Sequence, residues 1–292
     1  MKNIYHLLLR TTILLISFTI ADTISAQLLY RISGNGLHKP SYLFGTHHAV
    51  PLSVLDEVDN VFRCYNRSSA VVGEIALDED SVALLVAKEA QMVSPIADFL
   101  SADEYLLVDT VLYNVAGMRL NQVAYLRPAM IENIFLLSLY ESIFSRGADD
   151  AGMDSFFQQV ALQQGKPVLA LETASDQVNM LFHSQSITSQ VKSLLRTIKN
   201  ADSMPDDIRH LQRLYTAGHL DSIAQWSLNE EGMTPDDVEL LITSRNKRWV
   251  TALQPMMASQ SCFIAVGALH LPGPHGLISL LKQHGYKIKA VL

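Results

Sequence analysis

Short apolar runs bounded by turn residues alternate along this chain with longer stretches whose apolar positions recur at helical spacing. Leu28-Leu29-Tyr30-Arg31-Ile32 and Tyr42-Leu43-Phe44 flank Ser33-Gly34-Asn35-Gly36 and Lys39-Pro40, the pattern of a β-hairpin. Ser53 is placed to cap a helix running to about Arg63, with Asp56 and Glu57 favourable in its first turn. Ala70-Val71-Val72-Gly73-Glu74-Ile75 then reads as a buried strand. From Asp78 to about Arg146 the spacing is helical, with Pro128 at the first turn of an apolar segment that reaches Tyr140. Met153 to Gln164 is amphipathic and stops at Gly165, a C-cap glycine, before the strand Pro167-Val168-Leu169-Ala170-Leu171-Glu172. Helical spacing returns through Leu194, Leu211 and Trp226, and Pro235 opens a long helix carrying Leu240, Leu241, Arg245, Trp249 and Leu253. A strand through Phe263-Ile264-Ala265-Val266 and ending at His270, a helix from Gly276 to His284 and a strand from Tyr286 to Val291 complete the pattern.

This order predicts an α/β fold: a central mixed β-sheet flanked by helices, with a large helical insertion. Residues 27–292 form one domain in that reading, mainly helical over about 78–146 and 185–255. Residues 1–26 differ in kind. Lys2 and Arg10 give a basic start, Thr11 to Ile20 is apolar, and Ile24-Ser25-Ala26 is a small-residue exit, which together read as a secretory signal peptide. The apolar run is shorter than the roughly 20 residues that span a bilayer, so the expectation is export to the periplasm or the exterior with no stable membrane insertion after cleavage.

At 292 residues, 49% hydrophobic and 17% charged, the chain can bury a sizeable core. Its net charge of −7 becomes −8 once Lys2, Arg10 and Asp22 leave with the signal segment. An acidic chain without a basic run has no electrostatic grip on a phosphate backbone, which excludes nucleic acid as a partner. Two cysteines occur, Cys64 and Cys262, and an oxidising location would permit a disulfide between them; the alternative is two buried thiols acting as small hydrophobes.

Candidate chemistry gathers at strand ends. Gly45-Thr46-His47-His48 and Gly267-Ala268-Leu269-His270 each follow an apolar strand and precede proline, Pro51 in one case and Pro272 and Pro274 in the other. With 14 glycines and 10 histidines that spacing arises readily by chance, so its place at strand ends carries the argument. Ligands bind at strand ends of open α/β sheets because side chains from different strands converge there. His48 and His270 are candidate ligands for divalent manganese, cobalt, zinc or iron, and Glu74 is a natural third. Glu172 ends a fourth strand. A metal with an open position activates water for hydrolysis, Glu74 or Glu172 could take the proton, and Arg245 could stabilise a developing oxyanion. His47 points the other way if the strand continues through it. No His-Glu-x-x-His, Gly-x-Ser-x-Gly, phosphate-binding glycine loop or Cys-x-x-Cys occurs. The apolar insertion could form a lid or groove for a peptide or lipid-like substrate.

These residues resemble the TraB/GumN family, which includes Tiki-type metalloproteases and pheromone-shutdown proteins. The marks are Tyr42 to His48, Glu74, Gly152-Met153-Asp154, Gly165 to Glu172 with Gln177, Arg245-Asn246, and Val266 to Gly273. The resemblance implies a fold related to the erythromycin-esterase and haem-binding ChaN-like proteins. It also implies a metal-dependent site holding His48, Glu74 and His270, with Glu172 and Arg245 in support. The resulting expectation is an exported metal-dependent hydrolase, a protease or peptidase acting on a peptide or protein. The alternative is a haem- or peptide-binding protein on the same fold that turns nothing over.

Overall fold

Two adjacent strands joined by a short turn can pair antiparallel, whereas strands joined through helices pair parallel, and this chain does both. The computed structural model describes residues 27–47, 50–76, 79–144, 152–227 and 233–292. The proposed signal segment, and His48 with it, lies outside the described residues. β1 (Leu29–Gly34) and β2 (Ser41–Thr46) form the expected hairpin, with Leu29 opposite Phe44. β3 (Ala70–Gly73), β4 (Val168–Ala170), β5 (Cys262–Gly267) and β6 (Tyr286–Ala290) complete a six-stranded sheet in the order β4-β3-β5-β2-β1-β6. β2, β3, β4 and β5 run parallel, and β1 lies antiparallel to both of its neighbours. The carboxyl ends of the four parallel strands therefore share one edge.

Every residue of β2 and β3 is buried, as expected of parallel strands covered on both faces. Phe44 and Phe263 lie on one face, where Phe157 packs against them with ring centroids 5.6 and 4.9 Å away. The helices come in chain order: α1 (Val61–Arg67), α2 (Glu79–Glu89), α3 (Ala102–Ala116), α4 (Pro128–Ile143), α5 (Gly152–Gln163), α6 (Ala174–His183), α7 (Ile187–Lys199), α8 (Met204–Thr216) and α9 (Leu220–Ser227). After them come α10 (Pro235–Val238), α11 (Ser244–Ser259) and α12 (Leu277–Gln283). α3, α4 and α7 enclose a second apolar core around Leu112, Phe135 and Leu194, separate from the core on the sheet. Among the described residues no helix is long and apolar enough to cross a membrane.

The structure departs from the sequence pattern at several boundaries. The single helix expected from Ser53 to Arg63 is a 3-10 helix at Leu52–Glu57 and then α1. Asn60 separates them in the left-handed region at φ 64°, and its side chain donates to the Leu292 carbonyl at 2.7 Å. Asparagine tolerates that backbone because its short amide can bond locally or to a neighbouring segment. β4 stops at Ala170, so Glu172 sits in the turn before α6, and Thr173 caps that helix reciprocally with Asp176. β5 stops at Gly267, so His270 lies on a 3-10 turn rather than at the end of a strand. The long helix opened by Pro235 exists, but Glu239–Thr243 is a π-helical turn between α10 and α11.

Cys64 and Cys262 are buried and free, so no disulfide joins the two motifs. Burial pushes the Cys262 thiol up to about 11 and also raises Cys64, which keeps both protonated near neutrality.

Candidate functional site

Strand order brings the two glycine-histidine segments side by side. β2 and β5 are neighbours in register, with Gly45 opposite Val266 and Thr46 opposite Gly267. A Cβ on Gly45 would lie 3.1 Å from the Ala268 Cα and 3.2 Å from Leu271 Cδ2, so glycine there lets one segment pack on the backbone of the other. Gly267 clears space for a carboxylate: its N–H donates to Glu74 Oε1 at 2.9 Å, and a Cβ would come within 3.3 Å of that oxygen.

Glu74 leaves the end of β3, two strands from β2. Besides Gly267, it accepts Gln177 Nε2 at 3.0 Å and Arg245 Nη2 at 2.5 Å on Oε2. Glu172 accepts Arg245 Nη2 at 2.5 Å and Nε at 3.1 Å on Oε1, and the Trp249 indole at 3.3 Å on Oε2. Two carboxylates this close repel unless a cation lies between them, and Arg245 supplies it. Burial works against the arginine charge, but Glu74 and Glu172 more than offset it and hold the guanidinium above its ordinary value. The π turn lies immediately before Ser244 and Arg245, and the Leu241 carbonyl within it accepts Arg245 Nη1 at 3.1 Å. Such a turn inserts one residue into a helix, which rotates the side chains beyond it to a new face.

His270 is oriented from two sides. Asn246 Nδ2 donates to the carbonyls of His270 and His275, at 3.1 and 2.8 Å, which leaves Oδ1 as the acceptor facing His270 Nδ1 at 2.7 Å. Nδ1 therefore carries the proton, and Nε2 accepts Arg245 Nη1 at 3.2 Å. Trp249 packs on the imidazole with ring centroids 4.3 Å apart. Glu74, Arg245 and His270 are 9%, 5% and 4% exposed, so this is a buried polar cluster, and a cleft opens onto it.

That cleft has a volume of about 390 Å³. Thr46, His47, Glu74, Arg245, Gly267 and His270 make its polar floor; Leu136 and Tyr140 of α4, Leu211 of α8 and Ile242 of the π turn are among its apolar walls. His47 thus lines the cleft, contrary to the expectation that it turns away, because the strand ends at Thr46. Its ring stands edge-on to Tyr215 at 5.3 Å. Tyr215 is buried and bonds the Gly45 carbonyl at 2.8 Å, while Thr46 donates to Asp154 Oδ1 at 2.8 Å. Burial, with the charge of Asp154 added, pushes the Tyr215 hydroxyl well above its ordinary value, so it remains a donor.

The structure thus gathers Glu74, Glu172, Arg245 and His270 from among the expected residues. His48 lies outside the described residues. Sequence reading did not single out Tyr215, Asn246 as partner of His270, or Trp249 as a carboxylate donor. Asn246 carried a signal in its adjacency to Arg245, whereas Tyr215 reaches Gly45 across the fold and carried none.

As donors for a divalent transition metal, His270 Nε2 and Glu74 Oε1 are of suitable type and stand 3.9 Å apart. Among the described residues no group of three His, Cys, Asp or Glu side chains could hold a metal.

Compared with known families, the chain matches the TraB/PrgY/gumN family over residues 28–290. It is similar to Metalloprotease TIKI1 of Danio rerio, at 26% identity over 300 residues covering 86% of this chain and 60% of that protein. The chain therefore spans less than two thirds of the length of that relative. No solved structure matches it.

Proposed function

The chain belongs to the TraB/PrgY/gumN family, and we propose that it is an exported, metal-dependent hydrolase acting on peptide bonds. In this reading His270, Glu74 and His48 hold the metal, and Glu172 and Arg245 support them. The observation that carries it is the convergence of Glu74 and His270, 3.9 Å apart, with the buried Arg245 on the floor of the cleft. The similarity to a protein named a metalloprotease supports a metal cofactor and a hydrolytic reaction.

A divalent transition metal bound here would acidify a water and polarise a carbonyl. The residues of the chain divide the remaining work. Glu74 lines the cleft, so it is the carboxylate placed to receive a proton from a water on the cleft floor. Glu172 is absent from the cleft lining, and its oxygens accept from Arg245 and Trp249; its role is to fix the guanidinium. Arg245 spends its N–H groups on Glu74, Glu172, His270 and the Leu241 carbonyl, so it is the positive charge of the guanidinium at the cleft floor that favours an oxygen gaining charge. The Asn246 bond places the His270 proton on Nδ1, so Nε2 is the atom that would bind a metal, in exchange for the hydrogen bond it accepts from Arg245 Nη1. Apolar side chains from the insertion, Leu136, Leu137 and Tyr140, line the cleft beside this floor.

The test is metal content of the purified protein together with cleavage of a fluorogenic peptide library, with and without a chelator. Bound metal lost in His48→Ala and His270→Ala, with chelator-sensitive cleavage, is expected. Metal content unchanged in both variants would sink the site assignment, and metal-loaded protein that cleaves no peptide would sink the reaction. A haem titration on the same samples reads out the non-catalytic alternative.

A further inference from the structure

A second cavity of about 340 Å³ neighbours the cleft, and Asn133 and Leu136 of α4 line both. Leu240 and Leu241 of the π turn also line it, so it backs onto the segment that carries Arg245. Its chemistry differs from that of the cleft.

Most polar side chains around it are committed to the protein. Asp237 is held by Thr234 and by Gln185 Nε2. Gln190 receives the Ala129 N–H and donates to the carbonyls of Phe182 and Gln185. Ser184 donates to the Met180 carbonyl. Glu132 is different. Ser193 and Thr197 donate to its Oε1 at 3.2 and 2.5 Å, while Oε2 receives no hydrogen bond from the described residues and is not among the enclosed unpartnered atoms. Glu132 lines the cavity, and Oε2 is its acceptor that no donor among the described residues meets.

Burial pushes the Glu132 carboxyl above its ordinary value, opposed by the two hydroxyls and by Arg196, with Asp237 adding to the rise. Arg196 makes no ion pair with Glu132 or Asp237 within 4.0 Å, and it also lines a shallower depression shared with Lys192 and Lys199. A largely buried carboxylate with one oxygen open is completed by a donor that brings positive charge.

We propose that this cavity is a second substrate subsite, in which Glu132 Oε2 receives the ammonium or guanidinium of a lysine or arginine side chain whose backbone lies in the neighbouring cleft. It rests on the hydrolase reading of the cleft for the identity of the ligand as substrate. The cavity volume accommodates such a side chain, and the apolar Leu136, Leu181 and Leu240 offer surface to its methylene stem.

Equilibrium binding of acetyl-leucyl-alanyl-lysinamide and of its norleucine counterpart to the full protein tests this, because the peptides match in length and differ in charge. Wild type is expected to bind the lysine peptide about tenfold or more tightly than the norleucine peptide. Glu132→Gln keeps the hydroxyl bonds and removes the charge; Leu181→Lys supplies a competing cation from a partly exposed position on the cavity wall. Both variants are expected to bring the preference below about twofold. Equal binding or no binding of the two peptides by wild type overturns the proposal, even if a variant fails to fold. A preference retained in folded Glu132→Gln overturns it too. Charge-selective binding without cleavage of any peptide would refute the hydrolase reading and leave the subsite standing; cleavage indifferent to lysine would do the reverse.

Discussion

Asn246 fixes the tautomer of His270: its Oδ1 lies 2.7 Å from Nδ1, and its own amide hydrogens are spent on the carbonyls of His270 and His275. The imidazole presents an unprotonated Nε2 to Arg245 and the cleft as a result. Replacement of Asn246 by leucine removes that control. In nitrogen NMR spectra of the wild type, His270 is expected as the Nδ1–H tautomer, and Asn246→Leu is expected to give a mixture. Activity or metal affinity is expected to fall by about 10- to 100-fold, the usual range for groups that orient a ligand. An unchanged tautomer would contradict the assignment.

Arg245 is the cation between Glu74 and Glu172. Arg245→Met leaves two buried carboxylates facing each other and is expected to cost about 3–5 kcal/mol in urea unfolding. Adding Glu172→Gln relieves that repulsion, so the double variant is expected to recover part of the loss. Additive losses in the two single variants would mean the groups are not coupled.

Gly45 has little room for a side chain, because the crowding atom nearest to a new Cβ is backbone, Ala268 Cα at 3.1 Å. Gly45→Ala must push the two strand-end segments apart. A loss of about 1–3 kcal/mol is expected, as for other overpacked positions, read as a lower midpoint in thermal unfolding. An unchanged midpoint would show that the segments separate without strain.

Cys262 gives a pH dependence with a defined sign. Its thiol is raised to about 11 in the folded state, above the ordinary value near 9, so the folded protein holds the proton more tightly than the unfolded chain. The associated stability is complete below pH about 9 and is lost as pH rises toward 11, on the order of 2–3 kcal/mol. Urea unfolding between pH 8 and 11 is expected to show a shallower decline in Cys262→Ala than in wild type. Parallel declines would remove the thiol as the cause.

Much of the fold was legible because its signals are local. The hairpin announced itself through Gly34-Asn35-Gly36 between apolar runs, and Gly165 at φ 68° stops α5 where the pattern stops. The missed boundaries have non-local causes. Asn60 breaks a helix where its side chain reaches Leu292, at the far end of the chain, and the π turn before Arg245 lies inside a run that the apolar pattern reads as one continuous helix. His47 was misread because period-two alternation holds only while the strand lasts, and the strand ends one residue earlier.

Residue order suffices to identify an α/β protein of the TraB/PrgY/gumN family, and to say which residue types stand after its apolar strands. Periodicity and turn chemistry act over a few residues, so one chain is enough to read them. Only the assembled fold sets Glu74 against the Gly267 N–H, places one arginine between two carboxylates, and covers them with an apolar wall from the insertion. Those contacts depend on which strands lie side by side, and strand order is chosen by packing the whole sheet against its helices rather than by any local segment.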